Sequence, residues 1–89
     1  MDINLHQSTN GLFVLSCQGM FRKPLNEVHF DPAAHFLELL FEGEENPEQL
    51  NCPISDELSQ KLVEQNFIII GFFEDKELKA TQFAPFVIK

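Results

Sequence analysis

The sequence predicts an α+β domain: a small antiparallel sheet of four to six strands, with one helix near residues 55–65 packed on one face. Three observations predict it. Residues 67–73 (FIIIGFF) are apolar throughout and rich in β-branched and aromatic side chains, and the polar residues 74–77 close them like a turn. Such a run reads as a strand buried on both faces, because alternate side chains point opposite ways and neither set is polar. The second observation is Ser55 followed by Asp56 and Glu57, a helix start whose acids suit the helix dipole. The third is the punctuation. Turn-forming clusters at residues 7–11, 22–26 and 43–48 cut the rest into short apolar runs.

In chain order, the first ten residues form either a loose end or an edge strand. Residues 12–17 (LFVLSC) read as a strand, and Gly19 permits a bend before Met20 and Phe21. Residues 27–30 (EVHF) read as a short strand with Val28 and Phe30 on one face and His29 on the other. Residues 31–42 admit two readings. Asp31-Pro32 is a good helix start, and Ala33, Phe36, Leu37, Leu40 and Phe41 recur at helical spacing. Alternatively, residues 31–34 turn the chain and 36–42 form a strand, with Leu37, Leu39 and Phe41 on one face and Glu38 facing water. The strand is preferred for a tertiary reason: the run at 67–73 needs a partner on each edge, its C-terminal hairpin supplies one, and a hairpin over 27–42 supplies the other. Leu58, Leu62 and Val63 give the helix its apolar stripe. Residues 78–83 form the return arm of the last hairpin. Pro85 argues for an edge position there, since proline cannot donate to a ladder. Gly71, in the middle of a bulky run, marks a bulge or a close approach of the helix.

Composition limits what such a domain does. The chain of 89 residues is a single domain, and its net charge is −8. Residues 1–41 contribute −2 of this and residues 42–89 contribute −6. That field opposes nucleic acid and anionic membranes, and leaves a basic protein as the charged partner it suits. Ten Phe stand with no Tyr and no Trp, so the rings read as core filler without a hydrogen-bonding handle. The amino terminus has neither a basic region nor a long apolar run and reads as no signal peptide. With two unpaired cysteines, Cys17 and Cys52, the chain is expected in a reducing cytoplasm.

No chemistry-bearing pattern emerges. His6, Cys17, His29, His35 and Cys52 are the soft metal ligands, but His29 and His35 are six apart rather than four, and the cysteines are isolated. Cys52 lies three residues before the helix cap, beyond the reach of the dipole that would activate it. The acidic pairs Glu44–Glu45, Asp56–Glu57 and Glu74–Asp75 sit in turns or at the helix start, where they are expected to be solvated rather than buried and perturbed as general acid catalysis requires. The expectation is therefore a domain without cofactor, metal site or catalytic residues that binds another protein. The alternative is a small-ligand regulatory domain with a pocket between helix and sheet. Two sets of residues are the candidate contacts. Glu42, Glu44, Glu45 and Glu48 would dock a basic partner. Phe83, Phe86, Val87 and Ile88 put apolar weight in the tail, which either folds back to cap the core of a monomer or leaves an edge for a weak homodimer. Capping is preferred, because the charge opposes self-association.

Overall fold

A computed structural model describes residues 3–50, 52 and 54–89. The chain forms β1 (Ile3–Gln7), β2 (Phe13–Gln18), β3 (Leu25–Asp31), β4 (Phe36–Phe41), β5 (Glu48–Gln49), α1 (Asp56–Leu62), β6 (Phe67–Glu74) and β7 (Glu77–Ile88). All seven strands lie in one sheet of order β1-β2-β6-β7-β3-β4-β5. The sheet is mixed and curls into a half-barrel, and only 8% of the chain is helical. The expected α+β fold with a four-to-six-stranded antiparallel sheet is thus corrected to a mostly β domain.

The physical origin of that difference lies in the partners of β6 and β7. Strands adjacent in sequence pair antiparallel, as hairpins must: β1 with β2, β3 with β4, and β6 with β7. The second edge of β6 is taken by β2, which runs parallel to it with Leu15 level with Ile70. The β3–β4 hairpin, expected to supply that partner, instead joins the far edge of β7, also in parallel, with Val28 level with Phe86. Two long-range parallel contacts therefore close a sheet whose local contacts are all antiparallel.

Period-two alternation then sorts the side chains. Leu15 and Cys17 of β2, Ile70 and Phe72 of β6, Val28 and Phe30 of β3, and Leu37 and Leu39 of β4 share the inner face and form one buried cluster. β1 adds Ile3 and Leu5 as an edge strand, the second of the two readings of the first ten residues. Strand β6 is buried along its inner face, whereas on its outer face only Gly71 is buried. Phe67 is exposed, and Ile69 and Phe73 are half-buried, so the expectation of burial on both faces does not hold. Nor are the phenylalanines all core filler: Phe13, Phe30, Phe41, Phe72 and Phe86 are buried, whereas Phe67 and Phe83 stand in water.

Residues 36–41 are a strand, and the sequence signal that favoured a helix is visible in what they replaced. Asp31 accepts hydrogen bonds at Oδ1 from the Ala33 and Ala34 N–H groups (3.0 and 3.3 Å), as a helix cap would. The chain makes one turn and stops, because His35 enters the left-handed region (φ 58°) while its N–H donates to the Asp31 carbonyl. The cap residue has become a hairpin corner. Glu38 does face away from Leu37 and Leu39, but it is mostly covered rather than solvated and pairs with Lys89.

Helix α1 is shorter than expected, covering Asp56–Leu62 within the predicted 55–65, and its cap is the predicted one: Ser55 Oγ accepts from the Leu58 N–H at 3.2 Å. Its buried stripe is turned slightly from the expected one. Leu62 is fully buried and joins the inner-face cluster, Ser59 is buried with it, and Val63 is exposed.

Pro85 lies in an interior strand, not an edge. The Phe86 N–H turns to the Asn66 carbonyl and the Lys89 N–H to that of Phe30, so alternation aims position 85 at β3. The β3–β7 ladder begins at Phe86, immediately past the missing donor. Just upstream the Gln82 side-chain amide donates to the Leu25 carbonyl at 2.9 Å, a side chain bridging where the backbone ladder is absent.

Candidate functional site

The outer face of the three strands β2, β6 and β7 is the first candidate. Register places Val14, Ser16 and Gln18 of β2 beside Ile69, Gly71 and Phe73 of β6. On the other side of β6, Phe83 lies level with Ile69, Thr81 with Gly71, and Leu78 with Phe73. No charged residue occurs among them, on a chain carrying −8. Three of the apolar side chains are left in water: Phe83 is 68% exposed, Leu78 55% and Phe67 39%. The Phe67 and Phe83 rings lean on one another at 5.7 Å. Two local features put them there. Asp75 and Lys76, both at positive φ (51° and 65°), make the tight two-residue turn that starts β7. A bulge at Phe72/Phe73 then leaves Lys79 unpaired and swings Leu78 onto the outer face.

The second candidate is the region around Phe21. The loop between β2 and β3 turns Phe21 inward, where its ring meets Phe41 and Phe72 edge-on, each at 5.2 Å. Three cavities of about 270, 320 and 270 Å³ surround it. Both charge signs reach the first of these. Arg22, Lys23, Glu44 and Glu48 line it, and Lys23 pairs with Glu44 at 3.1 Å.

The sequence-derived contact residues fall into separate places. Glu42, Glu44 and Glu45 are exposed in the β4–β5 connection, and Glu48 begins β5. Of the tail, only Phe83 belongs to the exposed face. Phe86 is buried and stacks on Phe30 at 6.0 Å, Val87 is half-buried, and Ile88 ends the ladder beside Phe30 with 36% exposure. Of the expected cap, Phe86 packs into the core while Ile88 stays exposed, and the ladder with β3 covers only the Phe86–Ile88 end of β7. The acidic connection and Ile88 lie at opposite ends of β4, because Phe41 is level with Leu25 and Leu37 with Phe30. Sequence reasoning missed Phe67, Leu78 and Phe73. The signal was present in the unbroken apolar run of β6, which leaves its second face apolar whether or not anything covers it.

Several chemical roles can be placed against the geometry. Cys17 is fully buried, and burial pushes its thiol up to about 11 from an ordinary 9.0, so it stays protonated and unreactive at neutral pH. Cys52 is half-buried and unpaired. His29 faces outward with Glu27 Oε1 at 3.4 Å from its Nε2, and His35 Nδ1 lies 3.4 Å from Asp56 Oδ1. Among the described residues, no three His, Cys, Asp or Glu side chains converge closely enough to hold a metal ion. No helix among them is long and apolar enough to cross a membrane. No protein-family model matches the chain, and neither a curated protein nor a solved structure matches it.

Proposed function

We propose that this domain is a non-enzymatic protein-binding module of the cytoplasm, a monomer by itself, and that its partner is a basic protein docking on the outer face of β2, β6 and β7. The single observation that carries the reading is that the register-paired residues of that face carry no charge, the nearest charges being the Glu77–Lys79 pair at its β6–β7 turn end. Depletion of charged residues around aromatic anchors is the compositional mark of an interface centre. A face bearing exposed Phe67, Phe83 and Leu78 in a chain of −8 has that composition. The net acidity of the chain, to which Glu42, Glu44 and Glu45 of the β4–β5 connection contribute, steers a basic partner toward the domain and opposes a second copy. The unpaired Cys17 and Cys52 suit a reducing compartment.

A photo-crosslinking amino acid at position 83, with position 60 on the exposed side of α1 as control, tests this in cells. The expected result is a discrete adduct from position 83 alone. The adduct's partner, once purified, should bind the parent chain with a salt-dependent affinity that Phe83→Ser abolishes. Equal labelling from both positions, or binding indifferent to Phe83→Ser, refutes the reading.

The cavities around Phe21 support a second reading, a small-ligand regulatory domain. No residue of α1 lines them, so the pocket lies between the β2–β3 loop and the sheet rather than between helix and sheet. Arg22 and Lys23 beside Phe21 and Phe41 suit a small anionic ligand with an apolar body. A ligand screen by thermal shift, repeated on Phe21→Ala, separates this from the first reading.

A further inference from the structure

We infer that the seam of the half-barrel, between β1 and β5, is a strand-addition site for an extended peptide that carries apolar side chains at alternate positions and a Lys or Arg on the same face. The site is distinct from the outer face and does not depend on it. Curling the sheet brings its two terminal strands to one cavity. Ile3 of β1 and Glu48 and Gln49 of β5 line the same space of about 270 Å³, with Phe21 and Phe41 at its floor.

Both strands turn unused ladder groups toward that seam. The Ser8 N–H donates to the Leu12 carbonyl, so Ser8, His6 and Asn4 form the hydrogen-bonded pairs with β2. Alternation directs the N–H and C=O groups of Leu5 and Gln7 away from β2. Among the described residues, β1 pairs with β2 alone. On the opposite side, the Leu50 N–H donates to Leu37, which leaves the backbone of Gln49 facing outward.

The two edges are guarded differently. β5 is two residues long and follows Pro47, which blunts it. From Ile3 to Gln7, β1 has no charge, no proline and no bulge, the devices that normally prevent a strand from adding. A strand added to β1 would set its inward side chains beside Ile3 and Leu5 over the cavity. Glu48 supplies the charge preference. Its register partner Leu39 is an inner-face residue, so Glu48 points inward at the rim of the seam; Arg22 and Lys23 share a neighbouring cavity with it, but Lys23 pairs with Glu44 and Glu48 makes no salt bridge among the described residues.

The test uses the full chain and an array of eight-residue peptides, Lys at one position and Val, Ile or Leu at the second and fourth residues after it. Scrambled peptides and peptides with Glu in place of Lys are the controls. The expected result is binding of the patterned Lys peptides, with slowed hydrogen exchange at the Leu5 and Gln7 amides. Leu5→Pro deletes an N–H that β2 does not use, so the fold survives while binding weakens by roughly tenfold or more. Glu48→Lys should reverse the preference from Lys to Glu peptides, and it leaves the core untouched. Binding that ignores the pattern, or that survives both substitutions in folded protein, overturns the inference. A parent that sediments as a dimer and returns to a monomer in Leu5→Pro also overturns it, because the occupant is then a second copy.

Discussion

Replacing Gly71 by valine tests how tightly the outer face is packed. Gly71 lies mid-strand in β6 with β2 on one side and β7 on the other, level with Ser16 and Thr81, so its backbone has no free edge to move toward. A Cβ built there would stand 3.2 Å from Phe73 Cε2, 3.4 Å from Leu78 Cδ1 and 3.8 Å from Val14 Cγ1. The first distance is a few tenths of an ångström inside ordinary contact. Alanine asks only that the half-exposed Phe73 ring yield, and it recovers about 0.5–1 kcal/mol of backbone entropy that glycine forfeits in a strand. Gly71→Ala should therefore be near neutral. Valine adds two further carbons toward Phe73 and Val14, and overpacking of that kind costs about 1–3 kcal/mol. Valine's better fit to a strand offsets up to about 1 kcal/mol of this, leaving a net loss of about 1–2 kcal/mol. The chain has no Trp or Tyr, so urea denaturation followed by circular dichroism is the suitable assay. A double-mutant cycle with Phe73→Ala isolates the cause: with the ring removed, Gly71→Val should cost nothing. An equal cost in both backgrounds refutes the crowding argument, and a Gly71→Val protein as stable as the parent refutes it outright.

Three further outcomes follow from the geometry. Lys76→Gly relieves a bulky residue held at φ 65° in the β6–β7 turn and should raise stability by about 0.5–1 kcal/mol in a thermal melt. Phe21→Ala removes two edge-on ring contacts and merges the surrounding cavities, which should cost about 2–3 kcal/mol in urea, at or below the lower end for Phe→Ala because Phe21 is only half-buried. Cys17 has a folded-state pKa raised from 9.0 to about 11, so the protonated form is the one the fold favours. Its contribution is fully present below pH 9.0 and is lost as pH rises through about 11, and alkaline unfolding curves should show a loss of up to about 3 kcal/mol that Cys17→Val abolishes.

The elements themselves were largely legible in the residues. The cap at Ser55, the runs that became β2, β6 and β7, and the outward aim of His29 all follow from local rules, because capping, alternation and turn chemistry act over a few residues. The strand at 36–41 was recovered only by asking what β6 and β3 would pair with, and even there the pairing inferred was the wrong one. Nothing within residues 12–17 or 67–73 states that they lie side by side in parallel. That contact spans more than fifty residues of chain, beyond the reach of any local rule. The same holds for Pro85, whose missing N–H is compatible with an edge or with the exact point where β3 begins to pair, and only the neighbour decides. Sequence alone determined that this chain would be acidic, rich in short strands and weighted with phenylalanine. Which phenylalanines fill the core and which stand in water was decided by the curl of the sheet, since curling encloses one face of every strand and leaves the other toward solvent.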